Sequence, residues 1–240
     1  MCMKRVLLYF FIALLLVGLI GCQTSDKKTK LQETLSQSTE KASLDRLTCS
    51  YEIKPTEKWN STETAHVVYP QLFASTDYTT VNSLIEQETD TWINEAYTSN
   101  AHLTLDYFVT FCDDTCLCLL FEGDIMDKTA AHPTNVAFSI CVSLTDNKIV
   151  DPLDLVAVDE VFISKFNKQL AEQEMPTRFT DEQWKEIVEY FNKMPDSTLL
   201  RNIESGVLAI TQEGVIVCVS VPHSLGDYIK VEVPVAWYGT

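Results

Sequence analysis

Eight cysteines and four histidines are the residues of this 240-residue chain best suited to chemistry. Thiols can bridge, take an acyl group or hold zinc, and imidazoles can move a proton or join a ligand surface. Six cysteines lie in the body of the chain: Cys49, Cys112, Cys116, Cys118, Cys141 and Cys218. Cys112-Asp-Asp-Thr-Cys116 is the best local pair for a disulfide, because its strand-like flanks would bring both thiols together across a tight hairpin. Cys118 and Cys141 sit in apolar stretches that would lie side by side, and Cys49 and Cys218 are then left over. An even count outside the cytoplasm favours disulfides, with more pairings open than sequence can choose among. Free thiols also bury well in apolar strands, which keeps that alternative open for Cys118, Cys141 and Cys218. A zinc site using Cys112, Cys116, Cys118 and a histidine lacks the second spaced ligand pair of structural zinc sites. No metal and no cofactor is expected.

Among the imidazoles, His132 lies in Ala131-His132-Pro133 and His223 in Pro222-His-Ser-Leu-Gly-Asp227, just before Tyr228. A catalytic base needs an orienter and a nucleophile in reach. Ser139, Asp124 and His223 are the groups that could approach His132, but no spacing links them. Proline pushes the residue before it toward extended geometry, so Ala-His-Pro reads first as the lead-in to a strand. His132, His223 and Tyr228 are therefore candidates for a ligand-binding surface. There is no Ser/His/Asp signature, phosphate-binding glycine loop or paired carboxylate motif, and no catalytic residue is assigned.

The beginning of the chain says where such a surface would work. Lys4 and Arg5 precede an unbroken apolar run from Val6 to Gly21 that ends Leu19-Ile20-Gly21-Cys22. A basic start, a short apolar run and a small terminal residue form a secretory signal. The run is shorter than the roughly 20 residues of a spanning helix. Cys22 after Leu-Ile-Gly resembles a bacterial lipoprotein lipobox. That resemblance implies cleavage of residues 1–21 and acylation of Cys22, each buried CH₂ of an acyl chain adding about 0.8 kcal/mol of membrane affinity. The expected location is the cell envelope, lipid-anchored to a membrane, inner or outer. Loss of 1–21 leaves 34 acidic and 16 basic residues, a net charge of −18. Such a charge repels phosphates and excludes nucleic acid as a partner, and it attracts cationic partners.

Residues 22–47, rich in Thr, Ser, Gln, Lys and acids, read as a flexible tether with too little apolar surface to fold. The rest is long enough for one substantial core or two small subdomains, expected at 48–128 and 129–240. Short strands are expected at Cys49–Lys54 and Thr64–Tyr69, the second stopped by Pro70. A helix capped by Asp77 follows to Tyr97, burying Val81, Leu84, Ile85, Trp92 and Ala96 at helical spacing. Its Glu86, Glu88, Asp90 and Glu95 form a solvated face. Leu103–Phe111 alternates, with Leu103, Leu105, Tyr107, Val109 and Phe111 on one face; Cys116–Ile125 is continuously apolar up to Glu122. Val136–Leu144 alternates Val136, Phe138, Ile140, Val142 and Leu144 against Ala137, Ser139, Cys141 and Ser143. A turn follows at Thr145–Lys148. One helix then spans Asp154–Ala171, with Asp154 as its cap, and a second starts in the capping box Thr180…Gln183 and buries Trp184, Ile187, Val188 and Phe191. Strands Val207–Ile210, Val215–Val221 and Tyr228–Val233 close the chain. The pattern predicts an α+β fold, with antiparallel sheets, helices packed on one face, and two small subdomains.

Four short features point to a family. They are Tyr69-Pro70-Gln71, Ala131-His132-Pro133, the turn and helix start Leu144…Lys148…Asp154-Leu155, and Gly226-Asp-Tyr-Ile-Lys-Val-Glu-Val-Pro234. Together they resemble the paired extracytoplasmic domains of unknown function found in RsiV-type anti-sigma factors. The same pair accompanies PdaC-type deacetylases, outside the catalytic domain. Asn147 stands where the family more often has glycine, a mild departure because Asn tolerates left-handed backbone, and Thr129-Ala130 also replaces a commoner glycine. With no sigma-binding segment before the apolar run and no deacetylase-like domain after, neither of those roles is expected. The resemblance implies a non-enzymatic binding domain, with a cationic protein such as lysozyme or peptidoglycan fragments as partner. The alternatives are an envelope polysaccharide hydrolase using His132 and a nearby carboxylate, and a structural envelope lipoprotein.

Overall fold

The strands expected from two alternating stretches and one continuously apolar stretch form a sheet, and it is covered on both faces. The computed structural model describes residues 49–99 and 101–236. The expected signal segment, Cys22 and the expected tether lie outside them. The strands are β1 (Glu52–Trp59), β2 (Ala65–Phe73), β3 (His102–Cys112), β4 (Cys116–Met126), β5 (Thr134–Ser143), β6 (Lys148–Val150), β7 (Val207–Ile210), β8 (Val215–Ser220) and β9 (Tyr228–Val233). The helices are α1 (Thr79–Ser99), α2 (Pro152–Leu155), α3 (Glu160–Glu172), α4 (Asp181–Asn192) and α5 (Asp196–Glu204). One sheet has the order β1-β2-β3-β4-β5-β6, the other β7-β8-β9. The architecture is α+β, and all pairs are antiparallel except β2 with β3, which α1 connects as a parallel crossover. No helix among the described residues is long and apolar enough to cross a membrane.

Leu47–Thr240 is one compact unit, built in layers. α1 covers one face of the six-stranded sheet, burying Val81, Ile85, Ile93 and Ala96 against Leu103, Leu105, Leu119, Phe121, Ile140 and Val142. On the other face, Leu120 and Ala137 meet Ala209, Cys218 and Tyr228 of the three-stranded sheet. The outer face of that second sheet, Val217, Val219, Ile229 and Val231, packs on Phe162, Phe166, Ile187, Phe191, Leu199 and Ile203 of α3, α4 and α5. β4 lies between both cores, which is why its apolar run does not alternate. β4 and β5 pair from Cys116↔Ser143 to Ile125↔Thr134. The layer therefore changes after Val150 rather than at 128–129.

Several local expectations need correction. Pro70 does not stop β2: it lies opposite Pro55 of the edge strand β1, while the pairing of β2 with β3 covers only Ala65–Val67. Two facing prolines suit an antiparallel position where neither N–H is needed. Phe111 does not share the face of Val109. A bulge between Val109 and Phe111 turns Phe111 toward the helical core and places Cys112 under α1; an extra residue reverses the period-two facing. Lys148–Val150 is a strand, and Asn147 supplies the left-handed turn before it, φ 52°. The helix expected over 154–171 is two. Asp151 caps the single turn of α2 and Asp159 caps α3, so Asp154 is no cap. The capping box at Thr180 and Gln183 is present, and α5 is an element the sequence reading lacks. Two acids of the supposed solvated face, Glu86 and Asp90, both hold Lys58 of β1 at 2.7 Å.

Candidate functional site

Of the three ligand-surface candidates, the structure joins two and leaves one aside. His132 is exposed in the lead-in to β5 and makes no hydrogen bond among the described residues. His223 begins a short 3₁₀ turn, His223–Leu225, closed by Gly226 at φ 95°. Asp227 follows at φ 71°, a left-handed conformation that Asp tolerates better than most residues. This reversal aims the Asp227 carboxylate back over the turn. Its Oδ1 meets His223 Nδ1 at 2.7 Å, and its Oδ2 accepts the Asn135 backbone N–H at 2.7 Å and the Asn135 side-chain amide at 3.1 Å. Asp227 is thus shared between fixing the imidazole and fastening the turn to β5. The dyad orients His223 so that its second ring nitrogen can exchange a proton or accept a hydrogen bond.

Tyr228 is the first residue of β9, and its ring is buried. Its hydroxyl donates to Glu122 Oε1 of β4 at 2.8 Å, and Lys230 pairs with the other Glu122 oxygen. Arg178 lies over the rings of Phe179 and Tyr228, 4.7 and 4.5 Å from their centroids, and donates to the Tyr228 carbonyl. Burial, reinforced by the Glu122 charge, pushes the Tyr228 phenol above its ordinary range. Tyr228 therefore latches the two sheets together, and its hydroxyl is already engaged by Glu122.

Beside this latch is a cleft of about 200 Å³. Asn135, Val136 and Ala137 of β5 form one wall, and Val207, Cys218, Ser220 and Tyr228 of the second sheet form another. Ser205 and Gly206 close one side, and Asp227 and Trp92 complete the lining. β6 pairs only with Cys141–Ser143 of β5, so β5 carries no strand on that side along this stretch. Trp92 stacks on Phe138 with ring centroids 4.8 Å apart, and Phe138 stacks on Phe121 at 4.4 Å. This column holds the indole rigidly from the core outward. Cys218, at the cleft floor, has its thiol pushed up to about 12, first by burial and then by the Glu122 charge, so it is an inert apolar group. The cleft offers an aromatic surface, small hydroxyls, an amide and a carboxylate, a set suited to binding a small polar ligand with one apolar side.

Sequence reasoning reached His223 and Tyr228 but not Trp92, Asn135 or Asp227. His223 and Asp227 stand four apart in a Pro…Gly loop, a spacing that carried the signal for the dyad. Helical spacing places Trp92 in the core, and it is core on one side. The cysteines divide likewise. Cys118 and Cys141, directly opposed on β4 and β5, form a disulfide with Cα atoms 4.2 Å apart. Cys112 and Cys116 remain thiols. Cys112 faces the core under α1 and Cys116 the helical core, so the two do not face each other across the hairpin as expected. Among the described residues no group of three or more His, Cys, Asp or Glu is arranged to hold a metal.

Two solved structures similar to this chain are DUF3298 family proteins. The one from Bacteroides fragilis has 11% identity and a TM-score of 0.47, covering 81% of this chain and 96% of its own. The one from Pseudomonas aeruginosa has 13% identity and a TM-score of 0.42, covering 78% of this chain and 90% of its own. No family model and no curated protein matches the sequence.

Proposed function

We propose that this chain is a lipid-anchored, extracytoplasmic binding protein of RsiV-like type that takes cell-wall fragments in the cleft beside β5. The observation that carries this reading is the rigid Trp92 face set among Asn135, Ser205, Ser220 and Asp227. Sugars present an apolar ring face for stacking and a rim of hydroxyls for polar partners, and an aromatic with convergent polar groups meets both needs. The lipobox-like Cys22 supports placement in the envelope, where such fragments occur. The net charge of −16 over the whole chain supports a second class of partner, a basic protein such as lysozyme, whose encounter it would speed.

Titration of the chain with soluble muropeptides and with lysozyme, each at low and high salt, tests the reading. Saturable muropeptide binding that weakens at least tenfold in Trp92→Ala is expected, and lysozyme binding should fall with salt. No saturable binding to either would remove the ligand assignment. Palmitate labelling should vanish in Cys22→Ala, and unchanged labelling would refute the anchor.

A further inference from the structure

Two thiols lie at the end of the first sheet remote from the cleft. Cys112 ends β3 opposite Leu117, whereas the cleft sits by Asn135, which pairs with Asp124 near the other end of β4. In the β3–β4 turn, Asp114 Oδ1 accepts the backbone N–H of Ser50 at 3.0 Å. That bond brings the start of the described chain against the turn and Cys49 against Cys112. Both thiols belong to the core under α1, Cys112 within it and Cys49 packed against it, and the Cys49 thiol donates to the Tyr51 carbonyl at 3.6 Å. The buried Tyr51 hydroxyl, in the same core, has no hydrogen-bond partner among the described residues. Cys112 is 1% exposed, whereas Cys49 is only partly buried.

We propose that Cys49 and Cys112 form a redox-modification site: a second disulfide that staples the start of the globular part to the β3–β4 hairpin. The oxidant is a disulfide, carried by a small thiol compound or a thiol oxidoreductase. The Cys49 thiolate attacks one sulfur of that disulfide, its S–S bond breaks, and one thiolate leaves. Cys112, whose thiol burial raises and whose attack is therefore slow, then loses its proton and attacks the Cys49 sulfur, expelling the second thiolate. The protein loses two electrons and two protons, and the oxidant becomes two thiols. The geometry sets the order of events: the more accessible Cys49 meets the oxidant, and the buried Cys112 resolves the mixed disulfide. The bridge closes a long stretch of chain, β1 through β3, whose unfolded freedom it would restrict. With Cys118–Cys141, it would leave Cys116 and Cys218 as the buried thiols among the described residues.

The test equilibrates the purified full chain with oxidised glutathione, alkylates the remaining thiols in denaturant, and maps peptides. Cleavage before Asp113 and Asp114 separates Cys112 from Cys116 and Cys118. A Cys49–Cys112 linked peptide is expected beside the Cys118–Cys141 one, and the count of alkylated thiols among Cys49, Cys112, Cys116 and Cys218 should drop from four to two. Alkylated Cys49 and Cys112 in oxidised protein with a native circular dichroism spectrum would overturn the proposal. So would a glutathione adduct persisting on Cys49, or either cysteine bridged elsewhere. Because Cys112 is buried, the variant used is Cys49→Ser, in which Cys112 should stay a thiol; a Cys112–Cys116 bridge there would also overturn it.

Discussion

The Asp227 carboxylate accepts the backbone N–H of Asn135 at 2.7 Å, across 92 residues of chain. One side chain thereby fastens the turn between β8 and β9 to the first residues of β5, and both ends of that bond line the cleft. Asp227 also sits at φ 71°.

Asp227→Ala removes the acceptor and strains the left-handed position, so it should destabilise the protein by about 2–3 kcal/mol. Asp227→Asn keeps the backbone conformation and an oxygen acceptor and should lose only about 1 kcal/mol. Urea denaturation of the two variants measures the difference. Equal losses would show that the oxygen acceptor and left-handed tolerance that Asn retains contribute nothing.

Stability should fall at alkaline pH. Burial pushes Cys116 up to about 11 and Cys218 up to about 12 from an ordinary value of 9.0, and burial raises Cys112, Tyr51 and Tyr228 as well. The unfolded thiols therefore lose their protons first. Their contribution is complete below pH 9 and is lost as pH rises through the folded values. Cys218 alone should account for about 2 kcal/mol between pH 9 and 10.5. The urea midpoint measured across this range should decline steeply in the wild type and less steeply in Cys218→Ala.

Replacing Cys118 and Cys141 together by alanine should cost about 2–4 kcal/mol. The urea midpoint of the double variant, with and without reductant, checks this. Reductant should lower the wild-type midpoint by more than that of the variant, in which only a Cys49–Cys112 bridge is left to reduce. Cys116 lies with its sulfur 3.7 Å from that of Cys118, but burial raises its thiol out of the reactive range, so scrambling to a Cys116 bridge should be slow near neutral pH.

Gly123→Ala should be among the most damaging single changes. A Cβ on Gly123 would lie 1.8 Å from the Thr104 carbonyl oxygen of the neighbouring strand, so β3 and β4 would have to separate. A loss of about 3 kcal/mol or more is expected, read as a lower thermal midpoint or as insoluble expression. A near-neutral result would mean the strands approach less closely than this.

What the sequence determined by itself was local and periodic. The alternation over Val136–Leu144 and the capping box at Thr180 and Gln183 each depend on residues close in the chain, and each has its place in the fold. The unbroken apolar run of β4 marked a strand, and the fold buries that run on both faces. Where period or spacing was interrupted, the reading went astray. One inserted residue near Thr110 reversed the faces of Phe111 and Cys112, and a break at Val156 divided one expected helix into α2 and α3. The site was legible only in parts, because Trp92, Asn135 and Asp227 come from a helix, a strand start and a turn far apart in sequence. No spacing rule connects such residues. Only the stacking of one sheet on the other brings Asp227 to Asn135, Tyr228 to Glu122 and Trp92 to the edge of the same cleft. The same packing put Cys49 beside Cys112 and Cys116 in a different core, since which thiols meet depends on the face each strand presents to its neighbours.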